Sequence, residues 1–158
     1  MRAMDIAKYF LSKDSMRKIF NDKIVELNGR KFYEGNARLN KYLFLSQVVY
    51  LAKYEKRLFE DEFSAYINGP VIEDVMQSYS RINSNDNKNI PDDIANFLDK
   101  IYISLENASF EELIEITHED PEWIKLKHET YVAPKMKLED SIDEYKRRYK
   151  GLIEALKI

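Results

Sequence analysis

The chain has 158 residues, 44% of them hydrophobic and 34% charged, with only 4 Gly and 4 Pro; such a composition excludes a disordered or loop-rich chain and lets one domain bury about two thirds of its unfolded surface. A net charge of −3 gives no global positive excess to draw in a phosphate backbone, so sequence-independent nucleic-acid binding is disfavoured. The absence of Cys removes disulfides, thiolate nucleophiles and Cys-ligated zinc, and fits a reducing interior.

At the N-terminus, MRAMDIAKYFLSKD has no apolar run of signal-peptide length. Met4 to Leu11 reads as an amphipathic helix with Ile6, Ala7, Phe10 and Leu11 on one side. Asp14 or Ser15 then suits the N-cap of a second short helix through Phe20, because its side-chain oxygen can accept from free backbone N–H groups. In KIVELNGRKFYEG, apolar and β-branched residues flank Asn28-Gly29, and the positive φ angles of that pair suit a two-residue hairpin turn. Strands near Ile24–Leu27 and Lys31–Tyr33 follow; the rival reading is a helix from Met16 that stops at Gly29.

Asn36 is a candidate cap for the central helix, which runs to about Lys53 or Glu55 and is apolar around most of its circumference. Its longest apolar part, Tyr42 to Ala52, is interrupted by Ser46 and Gln47 and falls short of the ~20 residues that span a bilayer. A cytoplasmic protein with no membrane association is expected. Phe63 to Ile67 alternates like a third short strand that could pair with the hairpin, and Asn68-Gly69-Pro70 then breaks it, Pro70 suiting the first turn of a helix that carries Val71, Val75, Met76 and Tyr79. Ile82 to Asn89, INSNDNKN, is a polar turn-forming segment and reads as a mobile surface loop.

Pro91-Asp92-Asp93 opens another helix whose Ile94, Phe97, Leu98, Ile101, Tyr102 and Leu105 face the core. Ser109 and Glu112 have the capping-box spacing and start a short helix through Ile116; Asp120-Pro121 pairs an N-cap with a first-turn proline ahead of Trp123, Ile124 and Leu126. A last helix, about residues 138–157, places Ile142, Tyr145, Tyr149, Leu152, Ile153 and Leu156 on one stripe. Its Lys146-Arg147-Arg148 run is either the solvated face or a docking patch. Tyr131 to Pro134 reads as a loop; no repeat or interdomain linker is visible, so one domain over residues 1–158 is expected. The fold class is mainly α (α+β): a helical bundle around the central apolar helix, with a small antiparallel β-hairpin or three-stranded sheet. The 11 Tyr and 8 Phe are read as core filling, with a specialised aromatic surface, including a homodimer contact, as the alternative.

The one candidate for chemistry is THEDPEW, Thr117 to Trp123, where His118 stands beside Glu119 and Asp120. A His between carboxylates can act as general base or metal ligand. Against this, there is no HExxH, no His nearer than His128 and no Cys. His118 as a helix-end hydrogen-bond donor, Asp120 as a cap and Trp123 as packing is the alternative. None of the Ser residues sits on a Gly-flanked turn, and the Gly at 29, 35, 69 and 151 are isolated, so neither a serine nucleophile nor a phosphate loop is indicated. The residues favour a non-enzymatic module with no catalytic residue, metal or cofactor.

Four stretches in order, RLNKYLFLSQVVYLA, LFEDEFSAY, NGPVIEDV and THEDPEW, resemble the Panacea, or SocA-like, antitoxin domain, often labelled a phage-associated protein. KIVELNGRKFYEGNARLNK is similar to the variant with a hairpin inserted ahead of the core helix, here about residues 22–35, and the resemblance spans about Met4 to Trp123. Two positions depart from the family pattern: Tyr66 stands where Trp is common three residues before Gly-Pro-Val, and Glu122 separates Pro121 from Trp123. The resemblance implies an antitoxin that neutralises, by direct protein–protein contact, a toxin encoded by the adjacent gene. It points to Tyr66, Asn68, Gly69, Pro70 and Glu73, with His118 and Trp123 beside them, as candidate partner-binding residues. Gly69, Pro70 and Trp123 can equally serve the fold, while Asn68, Glu73 and His118 are harder to explain by packing. Two other functions compete: a phage-encoded inhibitor of a host defence complex such as a CRISPR nuclease, and a His/carboxylate-dependent hydrolase.

Overall fold

The computed structural model describes residues 1–84, 90–126 and 133–158. Helix α1, Ala3–Ser12, buries Ile6, Ala7, Phe10 and Leu11, the stripe its periodicity predicts, together with Ala3. The second short helix does not form. Instead the two carboxylate oxygens of Asp14 accept from the amides of Lys18, Ile19 and Phe20 at 2.8–2.9 Å, and Arg17 turns the chain at φ 51°. Capping chemistry is present without a helix to cap, because these bonds replace the carbonyls that a helix would have supplied. Phe20, fully buried, anchors the turn.

Strands β1, Ile24–Leu27, and β2, Arg30–Tyr33, pair antiparallel through the Asn28-Gly29 turn, with both turn residues at positive φ. Helix α2, Glu34–Tyr54, begins two residues before Asn36, and Tyr33 occupies the N-cap. Its first amides are satisfied from outside the helix: Glu34 N–H donates to Lys23 O at 2.7 Å and Gly35 N–H to Asn21 O at 2.9 Å. The side chain of Asn36, freed from capping, donates to Met76 O at 3.0 Å. A Cβ at Gly35 would collide with the backbone of Phe20 and Asn21 and the hydroxyl of Tyr79, so only glycine lets these segments meet.

Helices α1, α3 (Glu73–Ser78), α4 (Asp92–Leu105), α5 (Phe110–His118) and α7 (Ile142–Arg148) pack around α2. Leu39, Tyr42, Leu43, Phe44, Val48 and Val49 are fully buried on it, and so are polar side chains with internal partners. Gln47 donates to Phe59 O at 2.8 Å and accepts from Leu58 N at 2.7 Å, while Asn40 accepts from Ile72 N at 2.9 Å. These bonds make a buried polar residue tolerable and pin the chain on either side of the next strands.

The third strand, β3 (Ser64–Tyr66), does not join the hairpin. It pairs with β4, Gly69–Val71, across the tight Ile67-Asn68 turn, in a separate two-stranded sheet, and its other edge bridges Lys135. The partner nearest in sequence wins because closing a two-residue turn costs far less entropy than reaching back over α2. Gly69-Pro70-Val71 is therefore strand, and helix α3 begins only at Glu73. Pro70 fits because it faces Ala65, whose own N–H donates away from β4, to Pro134 O at 2.8 Å; no ladder donor is needed there.

Beyond α4, Ser109 and Glu112 form the reciprocal capping box of α5, and Asp120 caps α6, Pro121–Lys125, with Pro121 in its first turn. The C-terminal segment is a 3-10 turn, Leu138–Ser141, then α7 and α8, Lys150–Leu156, rather than one helix. Tyr145 and Tyr149, four residues apart on one face, both bury their rings. Of the ten described tyrosines, six are buried and only Tyr33 and Tyr54 are exposed, so these rings mostly fill the core. Of the segment 82–89, residues 85–89 lie outside the described residues, as do His128 and the Tyr131-Val132 half of the 131–134 loop. Among the described residues no helix is long and apolar enough to cross a membrane.

Candidate functional site

All seven candidate residues meet at the β3–β4 corner. Gly69 is at its centre, with φ at +124°, a conformation that L side chains rarely adopt. A Cβ there would lie 3.4 Å from Lys41 Nζ, 3.4 Å from Thr117 Oγ1 and 3.7 Å from His118 Nε2, so α2 and α5 both close on this one backbone position. The indole Nε1 of Trp123 donates to Tyr66 O at 2.9 Å and its ring stacks on His118 at 4.3 Å and 14°. Tyr66 in turn donates its hydroxyl to Glu73 at 3.2 Å. Burial first, then the Glu73 charge beside it, pushes the Tyr66 phenol above its ordinary pKa, with Arg30 pulling the other way.

Asn68 links the corner to the first hairpin. Its Nδ2 donates to Leu27 O at 3.1 Å, and its Oδ1 accepts from Asn28 at 2.7 Å. Tyr66, Asn68, Glu73 and His118 are half-buried and reach the surface, whereas Gly69, Pro70 and Trp123 are buried. Each of the three residues that resisted a packing explanation thus has an internal partner: Asn68 the hairpin turn, Glu73 the Tyr66 hydroxyl, His118 the Trp123 ring.

THEDPEW is organised by its cap. Asp120 is fully buried, and its Oδ2 accepts from the amides of Glu122 and Trp123, both at 3.0 Å. Burial pushes its carboxyl up, and the two amides and the Tyr145 hydroxyl facing it act in the opposite direction. With the imidazole of His118 laid flat on an indole and the Asp120 carboxylate turned to the backbone, the two do not form an acid–base pair. Among the described residues no group of three or more His, Asp or Glu could hold a metal ion.

Beneath the corner lies a cavity of about 450 Å³. Hairpin residues Leu27, Arg30, Lys31 and Phe32 form one wall, the corner residues Tyr66 to Gly69 another, and α2 supplies Asn40 and Lys41. Phe32 and Phe110 meet edge to face at 6.3 Å on its apolar side. Lys41 was not a candidate from the sequence. It is 5% exposed, and burial lowers its ammonium to about 8. The signal was available: a lysine one residue before Tyr42, inside a helix that reads as buried on nearly every side.

These features define a helix-rich α+β domain wrapped on one buried helix, with a hairpin corner over a cavity. The family model described as Antitoxin SocA-like, Panacea domain matches residues 39–124. That is more than half of the chain and contains most of α2, the corner, α5 and most of α6; the chain belongs to this family. No curated protein and no solved structure matches it.

Proposed function

We propose that this chain, working as a single domain in the cytoplasm, is the antitoxin of a toxin–antitoxin pair and neutralises a toxin encoded by the adjacent gene through direct protein–protein binding. The observation that carries the reading is the match to the antitoxin domain over residues 39–124. Tyr66, Asn68, Glu73 and His118 supply the contact, because they reach the surface side by side on a corner that Gly69, Pro70 and Trp123 hold rigid. A specific interface of this kind buries roughly 1,200–2,000 Å², with aromatic anchors such as Tyr66 near its centre.

Co-expression with the neighbouring gene tests the proposal. The neighbour is expected to arrest growth alone, to be silenced by this chain, and to co-purify with it. Glu73→Lys, which reverses a charge at the corner, is expected to weaken the pair about tenfold or more while leaving the thermal transition within a few degrees. A neighbour that is harmless alone and does not co-purify removes the basis of the reading.

A further inference from the structure

Lys41 is the one charged side chain among the buried residues of the central helix. Asn40 and Gln47 each have internal hydrogen-bond partners, and Ser46 donates to Tyr42 O at 2.7 Å. Lys41 has only the face of Phe110, 5.8 Å from the ring centroid. Among the described residues no carboxylate pairs with its ammonium and no oxygen accepts from its three N–H donors. A cation–π contact compensates such burial only in part, and a charge with most of its water removed and no ionic partner is costly to a fold. An ammonium so placed points to a ligand that neutralises it.

The cavity it faces has the size and lining of a small-molecule site. Its walls are largely apolar, with Phe32 and Phe110 on one side, and its charged lining residues are Arg30, Lys31 and Lys41, with no Asp or Glu among them. Arg30 is half-buried and Lys31 exposed, so solvent screens them more than the lysine on the floor. One deeply buried cation matches one negative charge, and a flat apolar body suits the aromatic wall; a dianionic phosphate would need a second buried donor set.

We propose that the cavity between the β1–β2 hairpin and the β3–β4 corner is a binding site for a small organic acid, whose carboxylate pairs with the Lys41 ammonium while its apolar body lies against Phe32 and Phe110. The carboxylate accepts charge-assisted hydrogen bonds from the ammonium, and the body displaces water from the rings. This site does not depend on the identity of any protein partner.

Titration of the purified full chain with benzoate, phenylacetate and indole-3-acetate, each beside its uncharged amide, tests the proposal by amide NMR. At least one acid is expected to bind at about 1 mM or tighter, to shift the amide signals of Lys41, Tyr66 and Gly69, and to bind better than its amide. Lys41→Met keeps the length of the side chain and removes its charge; affinity for the acid is then expected to fall about tenfold or more. A second measurement uses the wild-type chain alone: reductive methylation with labelled formaldehyde, read by peptide mass spectrometry, is slowed by the bound acid at Lys41 and unchanged at Lys53. Acids that fail to bind, amides that bind equally well, or acid binding that leaves Lys41 methylation unprotected would each overturn the assignment.

Discussion

Lys41 and Asp120 are both buried ionisable side chains, and the chain houses them in different ways. Asp120, 0% exposed, has a backbone built around it: the first turn of α6 presents two amides to one carboxylate oxygen. Its second oxygen and the Tyr145 hydroxyl face each other without meeting hydrogen-bond geometry, and Arg148 adds a favourable charge. Lys41 has an aromatic face and a cavity. One charge caps the start of a helix and ties THEDPEW together; the other is held at a cost that no internal contact repays in full. Burial by itself therefore does not distinguish structure from function, whereas the count of internal partners does.

Substitution should separate the two sites by sign. Asp120→Ala leaves two buried amides without an acceptor and is expected to cost about 3 kcal/mol, read as a fall in the urea midpoint; Asp120→Asn, which retains an accepting oxygen, should cost clearly less. Lys41→Met should act in the opposite direction. Moving a lysine from its ordinary 10.5 to about 8 corresponds to about 3 kcal/mol of penalty, and losing the Phe110 contact takes back about 1, so a net gain of about 2 kcal/mol is expected at pH 7.

The sign of the pH dependence follows from proton counting. Between about pH 8 and 10.5 the unfolded chain binds the Lys41 proton and the folded chain has released it, so wild-type stability from this group rises with pH across that window. The advantage of Lys41→Met should therefore be full below about pH 8 and shrink as pH rises toward 10.5. Denaturant melts at pH 7 and pH 10 check it; an advantage that stays constant would mean that Lys41 is not held in a desolvated site.

Smaller effects sharpen the contrast at the corner between the two charges. Gly69→Ala forces a Cβ into φ +124° against Lys41 and Thr117 and should cost about 1.5 kcal/mol, seen as a lower thermal midpoint. Trp123→Phe, which deletes the indole donor to Tyr66 O, should cost about 1 kcal/mol. Asn68→Ala releases the two hairpins from each other at a half-buried position and should cost only about 0.5 kcal/mol, while speeding amide exchange at Leu27 and Asn28.

Much of the architecture was legible from local chemistry. The α1 stripe, the Asn28-Gly29 turn, the Ser109–Glu112 capping box and the Asp120-Pro121 start of α6 each need only a few neighbouring residues, and each is present. All seven corner candidates also meet in space, since residues 66–73 are contiguous and Trp123 reaches them by a single hydrogen bond. Where the reading failed, the competing partner was elsewhere. Asp14 had the chemistry of a cap but its carboxylate closed a turn; Phe63 to Ile67 had the alternation of a strand but no way to declare which strand it joins.

The sequence by itself determined the helical class, the buried central helix, the Asn28-Gly29 turn and the caps at Ser109 and Asp120, because periodicity and capping are short-range physics written within about one turn of the chain. Only the tertiary structure decided that β3 pairs with β4, that Gly69 lies within van der Waals reach of α2 and α5, and that Lys41 lines a cavity beside Phe110. Those outcomes depend on which distant surfaces close over a residue, and a lysine has the same local sequence whether the wall opposite it is water or Phe110.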